Sequence, residues 1–513
     1  MAKFKDYSYD QTVMIPVNYK KQLQPGTFEY TLNKLINEEI DLSPFYENIN
    51  NDETGAPAYD PAILLKIILF SYSRGIVSSR EIERFCRENV VCIALSADTV
   101  PHFTTIANFI GREDSAIIDL FKKILAICYT QNLIGKNMFA IDGCKISSNC
   151  SKEWSGTKTE LVKKAEKLKE SIKYLVKKHR EHDRNSFTSS QLQKEKESIK
   201  KLRKHVALIN DWLEDNDPKI GVQGKEIKSN IVDNESAKMS SSHGVIQGYN
   251  GIAAVDNKNQ VIVYAQAFGD GTESTHLPEI LEGIKSNCKT SGISKRVYDE
   301  VIITADSGFH SEKNMEYIDQ NDITAFIADN QFRKRDIRFK TADIHKKKKV
   351  ANWKPRKGKT YFTAEDFKHN EITGKLICPA GYLLRVINKT CVRGHYRGKI
   401  YRSDAVNCFN CNLRNNCIKN PHTKARQVSK MNYDPPQGKE SFTSKMKKRF
   451  DTVEGRSIYS KRMGTVEPVF GHLRGVLHLD HFTLRSKKKV NAQWLLYCLV
   501  HNIKKINNYG YAV

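Results

Sequence analysis

No long apolar run occurs in this sequence. Crossing a bilayer takes about 18 to 20 consecutive apolar residues, and the best candidate, AILLKIILFSY at 62–72, is interrupted by Lys66. The opening MAKFKDYSYDQ has no apolar signal region either, so export is not expected and a cytoplasmic location is. Acid is scarce relative to base: 58 Asp and Glu stand against 83 Lys and Arg, a formal net charge of +25. That imbalance points to a polyanionic partner held by salt-sensitive attraction to phosphate. An anionic membrane fits less well, because no insertion helix adjoins the basic runs. Most of the 12 cysteines are scattered in apolar contexts, as at Cys86, Cys92, Cys128 and Cys498. Such a distribution suits buried thiols in a reducing compartment.

What is present is enough chain, 513 residues with 39% hydrophobic content, for two to four domains with sizeable cores. Residues 60–112 read as short helices. Pro61 fits a first-turn position, Ser78 or Ser79 caps SREIERFCREN, and Thr104 or Thr105 begins TIANFIGRE. With Arg80, Arg84 and Arg112 facing out, this suits a helix-turn-helix-like module as well as it suits a plain helical packing domain. Within 155–230, Leu161, Ala165, Leu168, Ile172 and Leu175, then Leu192, Ile199, Leu202, Val206, Ile209 and Leu213, recur at heptad-like steps. They predict an antiparallel helical hairpin. Residues 244–268 predict a β-hairpin turning at Asp256-Asn257-Lys258-Asn259. Helices near 274–287 and 311–320 alternate with strands at VIITAD and ITAFIAD. The expected fold class is α/β, a mixed sheet with flanking helices, interrupted by the hairpin.

Three acids stand out. Asp142 ends the apolar strand NMFAID, Asp306 ends VIITAD, and Glu467 is expected to open an amphipathic helix, TVEPVFGHLRGVLHL. A carboxylate at an exposed strand end is reachable by water and a metal. Gly143 and Ser307-Gly308 allow close backbone approach beside each aspartate. Phosphodiester cleavage by two Mg²⁺ (or Mn²⁺) ions needs about this many acids, since hard cations prefer carboxylate oxygen. At helical spacing Glu467, Phe470 and Arg474 share a face, and Arg462 precedes them, placing cations for phosphate beside an acid.

Here the chain resembles the bacterial insertion-sequence transposases of the DDE class, in the group with a Tyr-Arg-Glu-Lys signature. Tyr459, Arg462, Glu467 and Arg474 follow that signature in order, with one extra residue before Glu467 and Arg in place of the final Lys. SSREIERFCREN and PHFTTIANF resemble the family's N-terminal helical domain, and QGYNGIAAVDNKNQVIV its second and third core strands. The resemblance implies a ribonuclease H-like core. It also implies binding to terminal inverted repeats, and metal-dependent cleavage and joining to target DNA by a homodimer in the DNA complex. Asp142, Asp306 and Glu467 would be the catalytic metal ligands, with Tyr459, Arg462 and Arg474 on the terminal phosphate; Gly308, Phe309 and His310, close after Asp306, would shape the site, although a packed histidine is the expected fate of His310. The implied domains are a DNA-binding domain at 1–130, a core at 131–330 carrying the hairpin insert 155–230, a basic cysteine-bearing insert at 331–450, and core helices at 451–513. A ribonuclease H-like nuclease that does not join strands, and a transposase-derived DNA-binding regulator, are the rival functions. Retention of all three acids disfavours the regulator.

Cys378, Cys408, Cys411 and Cys417 lie in LICPAG and NCFNCNLRNNC. Cys408 and Cys411 form half of a zinc knuckle, and Cys378 and Cys417 could complete a structural zinc site. Cys391, His395 and His422 are competing ligands, and four reduced thiols in a β-rich insert are the alternative.

Overall fold

The computed structural model describes residues 17–510 except 48, 50–56, 185–188, 222–223, 242–243, 340–360, 371–372, 394–395, 421 and 434–439. The basic runs HKKKK and KPRKGK, and His395, lie outside the described residues. The chain divides into two compact units, Met1–Ala328 with Arg449–Val513, and Asp329–Lys448.

The first unit begins with helices. After short pieces between Tyr19 and Tyr46 come α1 (Pro61–Ser73), α2 (Ser79–Glu88), α3 (Val90–Ser96), α4 (Phe103–Arg112) and α5 (Asp114–Thr130). Pro61 occupies the first turn of α1, and Asp60 caps it by accepting from the Ala62 N–H at 2.8 Å, since proline's fixed φ suits a position whose N–H needs no partner. Ser78 caps α2 without a side-chain hydrogen bond, and His102, not a threonine, caps α4.

Strand β1 (Met138–Ser147) follows. Then come helices α6 (Lys158–Arg184) and α7 (Ser189–Asp215), strands β2 (Ala237–Ser241), β3 (Gly244–Asp256) and β4 (Ile262–Phe268), helix α8 (Leu277–Thr290), strand β5 (Ile302–Ala305), helix α9 (Glu312–Gln320) and strand β6 (Ala325–Ile327). The start of α6 packs on the end of α7, where Leu161 and Ala165 meet Ile209 and Trp212; at the opposite end His179 reaches Glu195 at 3.0 Å. The two helices therefore run antiparallel, as the heptad steps predicted.

The sheet runs β3–β1–β5–β6, with β2 and β4 both pairing the other side of the long β3. β1 is antiparallel to β3 and parallel to β5, which is parallel to β6. Two further helices complete the unit, α10 (Val453–Gly471) and α11 (Lys487–Tyr509).

α11 is buried on nearly every side, with Trp494, Tyr497, Leu499 and Ile503 fully enclosed. Each large side chain so enclosed contributes about 1.5–3 kcal/mol. The helix also completes an edge of the sheet. Asn502 accepts from the Ile262 N–H and donates to the Ile262 carbonyl, both at 2.9 Å, and Asn491 accepts from the Ala267 N–H at 2.6 Å. Side-chain amides thus satisfy β4 backbone groups that no strand pairs. On its other side Tyr497 meets Tyr72 of α1, ring centroids 5.0 Å apart, so the N-terminal helices and the sheet share one core.

The second unit is a five-stranded antiparallel sheet ordered β11–β10–β9–β8–β7, from Lys368–Asn370 (β7), Lys375–Ile377 (β8), Leu383–Arg393 (β9), Tyr396–Arg402 (β10) and Gln427–Tyr433 (β11). Two short helical turns, Ala405–Phe409 and Arg414–Cys417, lie between the last two strands. Phe367, Leu376, Leu384, Tyr401 and Val428 form its small core.

Candidate active site

Strand register sets the two aspartates side by side. Ile141 of β1 pairs with Ala305 of β5 in the parallel ladder, so Asp142 and Asp306 are the next residues on neighbouring strands, which lie about 4.8 Å apart. Both strands are apolar up to that point because helices cover both faces of a parallel pair. Asp306 then caps the turn Ser307–Phe309, its carboxylate facing the Gly308 N–H at 3.4 Å. Asp142 accepts from the Gly143 N–H at 2.9 Å.

One guanidinium joins them. Arg462 of α10 donates from Nη1 to Asp142 Oδ2 at 2.9 Å and from Nη2 to Asp306 Oδ1 at 3.2 Å. Its residue is only 8% exposed, and its Nε is buried without a partner. Tyr459, one turn earlier, is also buried; its ring lies 5.5 Å from the guanidinium carbon and edge-on to Phe450. Burial pushes the Asp142 carboxyl above the usual range, and Arg462 pulls it part of the way back. Burial opposes the Arg462 charge, but Asp142, Tyr459 and Asp306 outweigh it and hold the guanidinium above its ordinary value.

A fifth side chain belongs to this pocket that sequence reasoning did not single out. Glu273 follows β4 in the turn Asp270-Gly271-Thr272-Glu273, and a Cβ placed on Gly143 would meet its Cδ at 3.5 Å and its Oε1 at 3.7 Å. Burial raises its carboxyl, Lys145 lowers it, and Asp142 and Asp306 raise it again. Gly143 was the available signal: a glycine beside a candidate acid marks close approach by another group.

Glu467 is placed differently from expectation. It does not open its helix. α10 begins at Val453, capped by Thr452, and Glu467 lies near its C-terminal end with Pro468 inside the helix. The missing N–H of Pro468 is accommodated here because the carbonyl it would have bonded, Gly464 O, accepts from Gln260 Nε2 at 3.1 Å. At about 100° per residue, Glu467 points well away from Arg462 and is exposed. After Gly471 the chain enters a π-turn, His472–Val476, so Arg474 leaves the α-helical line expected through Glu467 and Phe470. Arg474 is exposed, and its charge lowers the Cys144 thiol on β1, which burial pushes up to about 12.

The structure thus brings Asp142, Asp306, Arg462 and Tyr459 together and adds Glu273. Glu467 sits on the same helix as Arg462 but is not gathered with the aspartates. Among the described residues no three His, Cys, Asp or Glu side chains are grouped closely enough to hold a metal ion as they stand. Phe309 is buried, and His310 is a packing residue, its Nδ1 3.1 Å from the Ile327 carbonyl.

In the second unit Cys378, Cys408, Cys411 and Cys417 line one small cavity. The Cys417 thiol is raised by burial, lowered by Arg426, and raised again by Cys408, Cys378 and Cys411.

Asp306 follows the last residue of β5, whereas Asp142, expected at a strand end, lies midway along β1, which continues to Ser147; the two neighbouring carboxylates, bridged by a helix-borne cation, make an acidic site in a mixed α/β fold. Residues 377–507 match the family described as Transposase DDE domain, and residues 17–112 match the family described as Transposase domain (DUF772). The two matches support a transposase of the DDE class, of the kind carried by bacterial insertion sequences. The first match takes in Tyr459, Arg462, Glu467, Arg474 and the four cysteines, while Asp142 and Asp306 fall between the two matched stretches. No curated protein matches the chain. Among the described residues no helix is long and apolar enough to cross a membrane.

Proposed function

We propose that this protein binds the terminal inverted repeats of an insertion sequence, cuts the DNA at the element's ends and joins those ends to target DNA, acting as a homodimer on paired ends. The observation that carries the reading is the placement of Asp142 and Asp306 side by side on adjacent parallel strands with Arg462 between them. The strand order β4–β3–β1–β5–β6, with the first three antiparallel and the last two parallel to β1, supports a ribonuclease H-like core.

The aspartates fit Mg²⁺ or Mn²⁺, because their oxygens already converge on one cation at 2.9 and 3.2 Å. When bound, such ions would activate the attacking oxygen and stabilise the leaving one. Asp142 and Asp306 would hold the metal, with Glu467 as the third ligand brought in when DNA closes the site. Glu273 sits where it would orient water or the metal from the β4 side. Arg462 and Tyr459 would contact the terminal phosphate, the guanidinium offering paired N–H groups to phosphate oxygens. Arg474, exposed near Cys144, would hold the same strand further along. Outward-facing Arg80, Arg84 and Arg112 of α2 and α4 support DNA binding by the N-terminal helices.

The test is an oligonucleotide assay with the full chain, Mg²⁺, an inverted-repeat end and a target plasmid. Cleavage followed by covalent joining is expected. Cleavage of any duplex without joining would favour the plain nuclease, and specific binding without cleavage the regulator.

A further inference from the structure

We propose that Cys378, Cys408, Cys411 and Cys417 bind one zinc ion through four thiolates, a site within the second unit that rests on none of the catalytic reading above. Four observations converge on it. All four side chains line the same small cavity, although they come from separate places in the chain: the turn after β8, the two helical turns before β11 and, for Cys411, the link between those turns. Two of the sulfurs are already held by backbone amides. Cys378 Sγ accepts from the Tyr382 N–H at 3.3 Å across a turn in which Gly381 takes φ +86°, and Cys408 Sγ accepts from the Arg426 N–H at 3.4 Å. Amide donors aimed at sulfur fix ligand direction, as outer partners of a metal site do.

The third observation is charge. Arg414 and Arg426 line the cavity, and Arg426 Nε is buried with no partner. Binding zinc by four thiols releases four protons and leaves a complex of net charge −2, for which two guanidiniums are suitable neighbours. The fourth is the thin core. Beneath the helical turns the buried cluster among the described residues is Cys408, Ile418 and Ala425, with Cys417 packed against them, and a small β unit with a thin core gains most from a metal.

The structure also sorts the competing ligands. Cys391 pairs with Gly398 along β9 and β10 and is not among the cavity residues; His422 is exposed and also outside the lining. The four sulfurs are not grouped at metal-holding distance among the described residues, so zinc binding would draw them inward within the cavity.

The experiment is metal analysis of the full-length protein purified without chelator. About one zinc per chain is expected, with content falling about tenfold in Cys378→Ser or Cys411→Ser and unchanged in Cys391→Ser. Cobalt added to chelator-stripped wild-type protein should give the intense visible bands and sulfur-to-cobalt charge transfer of a tetrahedral thiolate site, a readout that survives if a serine variant fails to fold. No zinc together with no thiolate–cobalt spectrum would overturn the proposal, as would Cys391→Ser losing metal as fully as Cys411→Ser. Asp142→Asn should keep its zinc, so failure of the catalytic reading and failure of this one are told apart.

Discussion

The carboxylate pocket and the thiol pocket solve the same problem with opposite materials. Asp142 and Asp306 are fixed by the register of a buried parallel ladder and neutralised by a built-in cation, Arg462. The four cysteines hang from turns and short helical pieces over a thin core, with amide hydrogens and arginines around them. A rigid scaffold can keep hard oxygen ligands in place and leave them free for a reaction. A thin scaffold must instead be held by what its ligands bind. The first pocket is therefore expected to matter for turnover and the second for folding of its own unit.

The largest expected effect separates two acids within the first pocket. Glu467→Gln should lower Mg²⁺-dependent cleavage by about 10³-fold, and Glu273→Gln by about tenfold, with end binding measured by gel shift unchanged in both. If Glu273→Gln proves the more damaging, Glu273 and not Glu467 completes the acid set.

Next is the cation between the aspartates. Arg462→Ala leaves two carboxylates facing each other beside a buried void. Because Asp142 and Asp306 are part exposed, the loss of stability should be about 1–3 kcal/mol, read as a lower urea midpoint, while Arg462→Lys recovers part of the stability.

The comparison sharpens with a chelator. Phenanthroline should lower the melting of the Asp329–Lys448 unit by several degrees, about what a loss of 1–2 kcal/mol produces in a domain of that size, and leave the larger unit unmoved. Equal shifts in both would erase the distinction.

A pH-dependent effect concerns the hold on α10. His501 Nε2 donates to the Gln260 carbonyl at 2.9 Å, and its Nδ1 lies 2.9 Å from His472 Nδ1, just beyond the end of α10. Burial drives both imidazoles down, His501 to about 3 and His472 to about 4. The unfolded chain, titrating near 6.5, binds more protons in this window, so stability is present above about pH 6.5 and is lost as pH falls toward 4. Denaturant titrations across that range should show the slope, and His501→Gln should flatten it.

Much of this was legible in the chain. Apolar runs ending in an acid located both aspartates, and heptad steps located α6 and α7, because these signals are local and periodic. Asp142 and Asp306 meet because β1 and β5 pair in parallel, a long-range pairing that no local pattern specifies. Glu467 was misplaced within its helix because Pro468 reads as a helix start until Gln260, far upstream, is seen to satisfy the Gly464 carbonyl. Glu273 went unnoticed because a polar turn has no periodicity and its neighbour Gly143 is more than a hundred residues away. The cysteines announced themselves by spacing, but choosing among Cys391, His422 and Cys378 required the cavity.

The most direct measurement is strand joining by Asp306→Asn in full-length protein, using a pre-cut inverted-repeat end, target plasmid and Mg²⁺. This substitution keeps size and the cap to Gly308 while removing one charge facing Arg462. Joining should fall at least about 10³-fold with end binding unchanged; joining at the wild-type rate would show that the two aspartates are not the reaction centre.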